Sequence, residues 1–229
     1  MPPPITVISS MATRLLLAEL ADAYTQATGR AVAVDAVGGL DAAKRVAAGE
    51  ALDLVVLAAE PLDRLIAAGH VRAAGRADLA RSLVAVAVRA GAPQPDIGSE
   101  AALRRAVLDA ASLCCSSGPS GDFIRQLLQR WGMADAVAGK LVQTPPGVPV
   151  GSLVARGEVE LGFQQLGELL PLPGITVLGT LPEPVACVTT FSAGLCGAGT
   201  QPDAAQALLR YLTSPAADAA KRRHGMSPV

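Results

Sequence analysis

Short runs of apolar residues alternate with longer amphipathic segments that end on glycine. Ile5-Thr6-Val7-Ile8 reads as a buried strand. Met11 to Thr28 reads as a helix, with Leu15, Leu16, Leu20 and Tyr24 at helical spacing and Gly29 as its stop. Residues 31–37 (AVAVDAV) form the next strand pattern, and Leu40 to Gly49 a short helix. The run 52–57 (LDLVVL) is nearly continuous and β-branched, as in a parallel strand covered on both faces, and Pro61 to Gly69 follows as a helix. This βαβαβα order predicts a parallel α/β layer.

The style continues beyond it. Strands are expected at Leu83–Val88, Leu113–Ser116, Leu141–Gln143, Val159–Gln164, Ile175–Leu178 and Val185–Phe191. Helices are expected at about Ser99–Leu108, Gly121–Gly132, Ala134–Lys140, Pro146–Gly157, Leu166–Leu170, Asp203–Thr213 and Pro215–Arg223. No internal repeat or low-complexity linker interrupts the series. The strands Leu83–Val88 and Val185–Phe191 bracket the middle block. If both cross between lobes, residues 83–185 form an inserted second lobe, and residues 1–82 plus 186–229 form the first. The expected architecture is therefore α/β and two-lobed, each lobe a mixed sheet flanked by helices, with two hinge strands.

Composition narrows the function classes. Apolar residues make up 51% of the 229 positions and charged residues 17%, which is globular rather than disordered. A net charge of −1 gives no global pull on nucleic acid, and 3% aromatics leave little for base stacking. No apolar run reaches the roughly 18–20 residues of a membrane span, so no membrane insertion is expected. The strand pattern starts directly after Met1-Pro2-Pro3-Pro4. As the sequence stands this reads as cytoplasmic, and as periplasmic if it is a mature form. Cys114, Cys115, Cys187 and Cys196 have no metal-ligand spacing and read as buried small hydrophobes, so neither metal nor cofactor is expected.

Candidate chemistry sits at the strand-to-helix junctions. A helix start carries unpaired N–H groups and partial positive charge, which suit an anion. Ser9 and Ser10 stand at the first junction, with Arg14 in the helix that follows as a bidentate carboxylate partner. Gly38 and Gly39 stand at the second, where a bare backbone admits close approach. Ser116, Ser117, Ser120 and Gly121 form a loop rich in N–H groups, stiffened by Pro119. Val148 offers a backbone N–H at another helix start. Gln164 and Gln165 end a strand and alternate in direction, so one can serve as a neutral donor. Asp53, just before a strand, reads as a loop acceptor for a helix end. His70 and His224 have no serine or acid in a triad order, and no phosphate-binding or dinucleotide glycine motif occurs. The acids nearest the loops are Glu60, Asp122 and Glu168.

The ordered set Ser9-Ser10, Gly38-Gly39-Leu40, residues 48–59, residues 118–121, residues 145–148 and residues 157–165 resembles periplasmic-type (type II) solute-binding proteins, above all the molybdate-binding branch of ABC transporters. The resemblance implies two lobes around a cleft, a small oxyanion or polycarboxylate as ligand, and a transporter permease as partner if the chain is exported. The chain departs from that branch at two junctions. Gly38-Gly39 stands where a hydroxyl residue is usual, and Gln164-Gln165 where a tyrosine is usual. In this it is similar to the aconitate isomerase subgroup, which implies a second activity: cofactor-independent allylic proton transfer on an unsaturated polycarboxylate.

Overall fold

The computed structural model describes residues 2–229 as two compact α/β units. The elements, in chain order, are β1 (Ile5–Ser10), α1 (Arg14–Thr28), β2 (Val32–Val37), α2 (Gly39–Ala47), β3 (Leu54–Ala58), α3 (Ala59–Ala67) and β4 (Val71–Arg89). Then come α4 (Glu100–Asp109), β5 (Leu113–Cys115), α5 (Pro119–Arg130), α6 (Ala134–Val137), β6 (Leu141–Gln143), α7 (Val150–Arg156) and β7 (Leu161–Gln165). The chain closes with α8 (Leu166–Leu169), β8 (Ile175–Thr180), β9 (Val188–Cys196), α9 (Pro202–Leu212), α10 (Asp218–Arg223) and β10 (Met226–Pro228).

The first unit holds the chain up to Arg81 together with Thr190–Val229. Its strands β2, β1 and β3 are parallel, with β1 in the middle, and β9 adds antiparallel to β3. Alternation along the central strands fills two cores. Ile5, Val7, Leu54 and Val56 pack with Leu16, Leu20, Leu208 and Leu209 on one face. Ile8, Val55 and Leu57 pack with Val46, Leu62 and Leu65 on the other. Edge strand β2 shows instead the half-buried and exposed alternation of a strand with one wet face.

The second unit is Ser82–Thr189. Here β6, β5 and β7 are parallel, β4 runs antiparallel to β7, and β8 antiparallel to β4. Adjacent cysteines part as strand geometry demands. Cys114 joins Val150 and Val154 beneath α7, while Cys115 joins Phe163, Ile124 and Leu128 beneath α5. All four cysteines are buried free thiols. Both units therefore repeat one design, in which the carboxyl ends of three parallel strands feed helix starts.

Several boundaries differ from the sequence reading for physical reasons. The strand expected at Leu83–Val88 is part of the 19-residue β4, whose first half (residues 71–82) carries arginine, aspartate and glycine instead of an apolar run. Gly75 is required there, since a Cβ would lie 2.6 Å from the Leu195 side chain. The helix expected from Pro146 begins only at Val150, because Pro145-Pro146-Gly147 makes a turn with Gly147 at φ +80°. The first helix opens with a 3-10 turn, Met11–Thr13, so Arg14 is the first residue of α1. The terminal β10 has no counterpart in the pattern reading.

Candidate functional site

Asp53 shows what this fold does with a helix start that it serves internally. Its carboxylate accepts the Thr200 and Gln201 N–H groups ahead of α9, each at 3.0 Å, and the Thr6 N–H and hydroxyl at 2.9 Å. Burial alone would raise its pKa. The hydrogen bonds from Thr6, Gln201 and Thr200 outweigh that and hold it below the ordinary carboxylate value. Ser99 serves α4 in the usual way, its hydroxyl accepting the Ala102 N–H at 3.2 Å.

The helix starts at the strand ends of the first unit lack such service. No side chain caps the 3-10 turn after Ser10, nor α2 behind Gly38, nor α3 behind Ala58. The Ser9 and Ser10 hydroxyls are buried yet have no hydrogen-bond partner among the described residues. A buried polar group without a partner costs about 1–3 kcal/mol, so two consecutive ones at uncapped helix starts are ready for an acceptor from outside. Gly39 sits beside them, and a Cβ there would stand 3.8 Å from the Ser10 Cβ. Arg14 is exposed at the start of α1. Ser9, Ser10, Gly38 and Gly39 thus gather at one edge, with a hydroxyl-and-amide character and no buried charge.

The strand ends of the second unit are more tightly self-bonded. Register sets Cys115 beside Gln143 and Phe163, so Ser116, Thr144 and Gln164 follow at the same edge. The Ser116 and Ser120 hydroxyls bond each other at 2.8 Å, and Ser116 Oγ also accepts the Gly118 N–H at 3.3 Å. Gly121 is needed for packing, because a Cβ would fall 1.7 Å from the Ser116 carbonyl oxygen, and its N–H donates to the Gly118 carbonyl at 2.9 Å. Ser117 lies half-buried in the same loop. Val148 differs from expectation: its N–H closes the proline turn onto the Pro145 carbonyl at 3.1 Å and is not a free helix-start donor.

The two glutamines separate in role. Gln164 accepts the Gly151 N–H at 3.4 Å and donates to the Glu168 carboxylate at 2.9 Å. Gln165 faces the other way, donating to the Thr189 hydroxyl at 2.7 Å while its Oε1 stays buried without a partner. Burial pushes Glu168 up to about 7, the Gln164 hydrogen bond offsetting part of the rise. Thr144 was not singled out by the sequence reading. The residue is 2% exposed, and its hydroxyl is unpartnered among the described residues just past β6, much as those of Ser9 and Ser10 are in the last two positions of β1. A rule that looks for hydroxyls at every strand end would have found it. Arg125 also went unnoticed: it pairs with Asp122, and its positive charge partly offsets the burial that raises the Cys115 thiol. Among the described residues no group of three or more histidine, cysteine, aspartate or glutamate side chains is arranged to hold a metal ion. No helix there is long and apolar enough to cross a membrane.

This architecture is the type II periplasmic-binding-protein-like fold. The periplasmic molybdate-binding protein of Azotobacter vinelandii superposes with a TM-score of 0.80 at 19% identity, over 96% of this chain and 97% of its own. The sulfate-binding protein SubI from Mycobacterium tuberculosis H37Rv gives 0.80 at 17% identity, over 100% of this chain and 88% of that one. Residues 5–227 match the family described as bacterial extracellular solute-binding protein, and the chain belongs to that family. A curated relative, the aconitate isomerase of a Pseudomonas species, is 37% identical over 230 residues, 98% of this chain and 88% of that protein.

Proposed function

We propose that this solute-binding protein takes up a small anion, a polycarboxylate or an oxyanion, on serine hydroxyls and backbone N–H groups at its strand ends. The observation that carries this reading is the pair of buried, unpartnered hydroxyls of Ser9 and Ser10 at helix starts that no side chain caps. Asp53 supports it by analogy within the same chain, since a helix start of this fold accepts a carboxylate well. Each hydrogen bond to a charged ligand contributes on the order of 1.5–3 kcal/mol. In the first unit Ser9, Ser10, Gly38 and Gly39 are the donor set, with Arg14 at its margin. In the second, Ser116, Ser117, Ser120, Gln164 and Gln165 are, with Thr144 added and Gly121 as the close-packed turn that seats Ser116. The lobes of this reading are residues 1–82 plus 186–229 and residues 83–185. An ABC transporter permease is the partner if the chain is exported to the periplasm. Cell fractionation tests that location.

A second reading is favoured by the 37% identity to an aconitate isomerase across 98% of the chain. On it, binding is followed by cofactor-independent proton transfer within an unsaturated tricarboxylate. A thermal-shift series with molybdate, tungstate, sulfate, phosphate, citrate, cis-aconitate and trans-aconitate tests both. A ligand at about 100 times its Kd adds roughly 2.7 kcal/mol, a rise of roughly 5–10 °C for a chain of this size. The expected result is a rise with the polycarboxylates. A rise with molybdate and tungstate alone would remove the isomerase reading, and no rise with any anion would remove both.

A further inference from the structure

Four carboxylates stand in the first turns of helices that follow strand ends: Asp41 on α2, exposed and paired with Lys44, and Glu60, Asp122 and Glu168, whose surroundings set them apart. Glu60 is exposed on α3 and paired with Arg64. Asp122 is exposed on α5 and paired with Arg125. Glu168 is partly buried, has no cationic partner among the described residues, and receives one side-chain hydrogen bond, from Gln164.

Its position is fixed from both sides in sequence. The one-turn α8 follows β7 without a loop, so Glu168 stands directly beyond the strand end. Gln164 is itself tied to the Gly151 N–H in the first turn of α7, which orients the amide toward the carboxylate. Two unpartnered buried polar atoms belong to the same end of the sheet among the described residues: Gln165 Oε1, an acceptor on a side chain 3% exposed, and the Thr144 hydroxyl, which can donate, on one 2% exposed. Such orphans mark the edge as incomplete without an external polar group.

We propose that Glu168 is the proton-carrying group for a 1,3-allylic shift in a bound propene tricarboxylate. The inference rests on the isomerase reading above. In the forward step the Glu168 carboxylate takes a proton from the ligand CH2, and that C–H electron pair enters the allyl system between the carboxylates. The resulting carboxylic acid then returns the proton to the far allyl carbon. A new C–H bond forms there, and the double bond comes to lie where the CH2 had been. Composition and oxidation state do not change, so no oxidant or reductant is required. The conformation about the C–CH2 single bond at the moment of deprotonation sets the geometry of the new double bond, which can therefore differ from the old.

The electrostatics suit a group that must both accept and release a proton near neutrality. Burial is what pushes Glu168 up to about 7, and the Gln164 amide is the opposing influence. β7, α7, β8 and, through Ala85 and Ala87, β4 pack against α8. Neither β7 nor β8 carries a charged residue, the one on α7, Arg156, is taken by Glu158, and on β4 the charged positions flanking the contact are Arg81 and Arg89.

The test follows cis- and trans-aconitate by proton NMR in D2O with the full chain, beside thermal shifts with the same two ligands. Wild type is expected to interconvert them, with deuterium entering the ligand carbons to the extent that the Glu168 proton exchanges with solvent before its return. Glu168→Gln is expected to keep the thermal shifts and lose at least about 100-fold in both rates, the lower end of what a general base contributes. Glu168→Asp, which keeps the carboxyl but shortens its reach, is expected to fall between them with a displaced pH–rate profile. If wild type binds but does not interconvert, the isomerase reading fails and this inference falls with it. If wild type interconverts and Glu168→Gln does so equally, this inference alone is overturned. A folded Glu168→Gln that loses binding in step with rate would also overturn it, by making Glu168 a ligand contact. Should Glu168→Gln fail to fold by circular dichroism, the Glu168→Asp profile decides, and an unchanged profile would sink the proposal.

Discussion

The strand ends of the two units are built on one plan and finished differently. In the first unit, Ser9 and Ser10 point buried hydroxyls at nothing, beside the bare backbone of Gly38-Gly39. In the second, Ser116 and Ser120 bond each other, Gln164 bridges Gly151 to Glu168, and Gly121 is wedged against the Ser116 carbonyl. The first edge has unspent donors and no titratable group among its buried residues. The second has most of its donors engaged and one carboxyl whose charge is suppressed by burial. One strand-loop-helix arrangement thus serves as a donor surface in the first unit and as a frame that holds a titratable side chain in place in the second.

The comparison can be broken most forcefully at its glycines. Gly121→Ala puts a Cβ 1.7 Å from a backbone carbonyl oxygen that has no rotamer to escape with. Overpacking of this kind costs about 3 kcal/mol, and thermal melting should register it as a loss of roughly 6–12 °C. Gly39→Ala meets nothing closer than 3.8 Å, so its melting temperature should stay near wild type while anion affinity falls. Equal destabilisation by the two substitutions would erase the distinction between the edges.

Asp53→Ala comes next, as a test of the internal anion. It leaves the Thr200 and Gln201 N–H groups and Thr6 without their acceptor, which should cost about 3 kcal/mol. Because the folded pKa of Asp53 lies below its ordinary value, its contribution is present above pH 3.8 and is lost as pH falls through the folded pKa. Acid titration followed by circular dichroism should show wild type losing stability in that window and the variant losing less.

The serines give a smaller and more selective effect. Ser9→Ala removes a hydroxyl with no partner in the fold, so stability should hold or rise slightly, while anion affinity drops by about 1.5–3 kcal/mol, roughly 10- to 150-fold. Ser120→Ala breaks a formed hydrogen bond and should instead cost about 1 kcal/mol of stability. Titration calorimetry and melting on both variants separate the two behaviours. Ser117→Ala, in a half-buried loop position, should resemble Ser9→Ala in affinity.

The smallest expected effect is a pH slope. Glu168 has its folded pKa raised to about 7 from 4.5, so the folded state binds the extra proton between those values. Its contribution therefore makes stability fall as pH rises through that window, with the full penalty present above pH 7. Glu168→Gln should remove this slope and melt a few degrees higher at pH 8, with little change at pH 4.5. A slope unchanged in the variant would mean that the carboxyl titrates as an exposed one.

Much of this was legible in residue order. Periodicity located the parallel strands around Ile8, Val55, Cys114 and Phe163, because a buried strand must be apolar on both faces. The capping logic assigned Asp53 to a helix end. The pattern failed at residues 71–82, where a strand is held by pairing and by the Gly75–Leu195 contact rather than by hydrophobic alternation. It failed at Val148 because a proline-glycine turn consumed the N–H that a helix would have left free.

The layer architecture, the strand-end serines and glycines, and the near absence of charge among them follow from residue order, because they depend on local spacing and on the chemistry of single residues. Which of those polar groups are already satisfied follows from packing alone. Whether a hydroxyl is spent depends on partners brought close by packing, as Ser116 is to Ser120 and Ser10 to no one. The same holds for the three acids. Glu60, Asp122 and Glu168 look alike in sequence, and burial without a cation set the third apart.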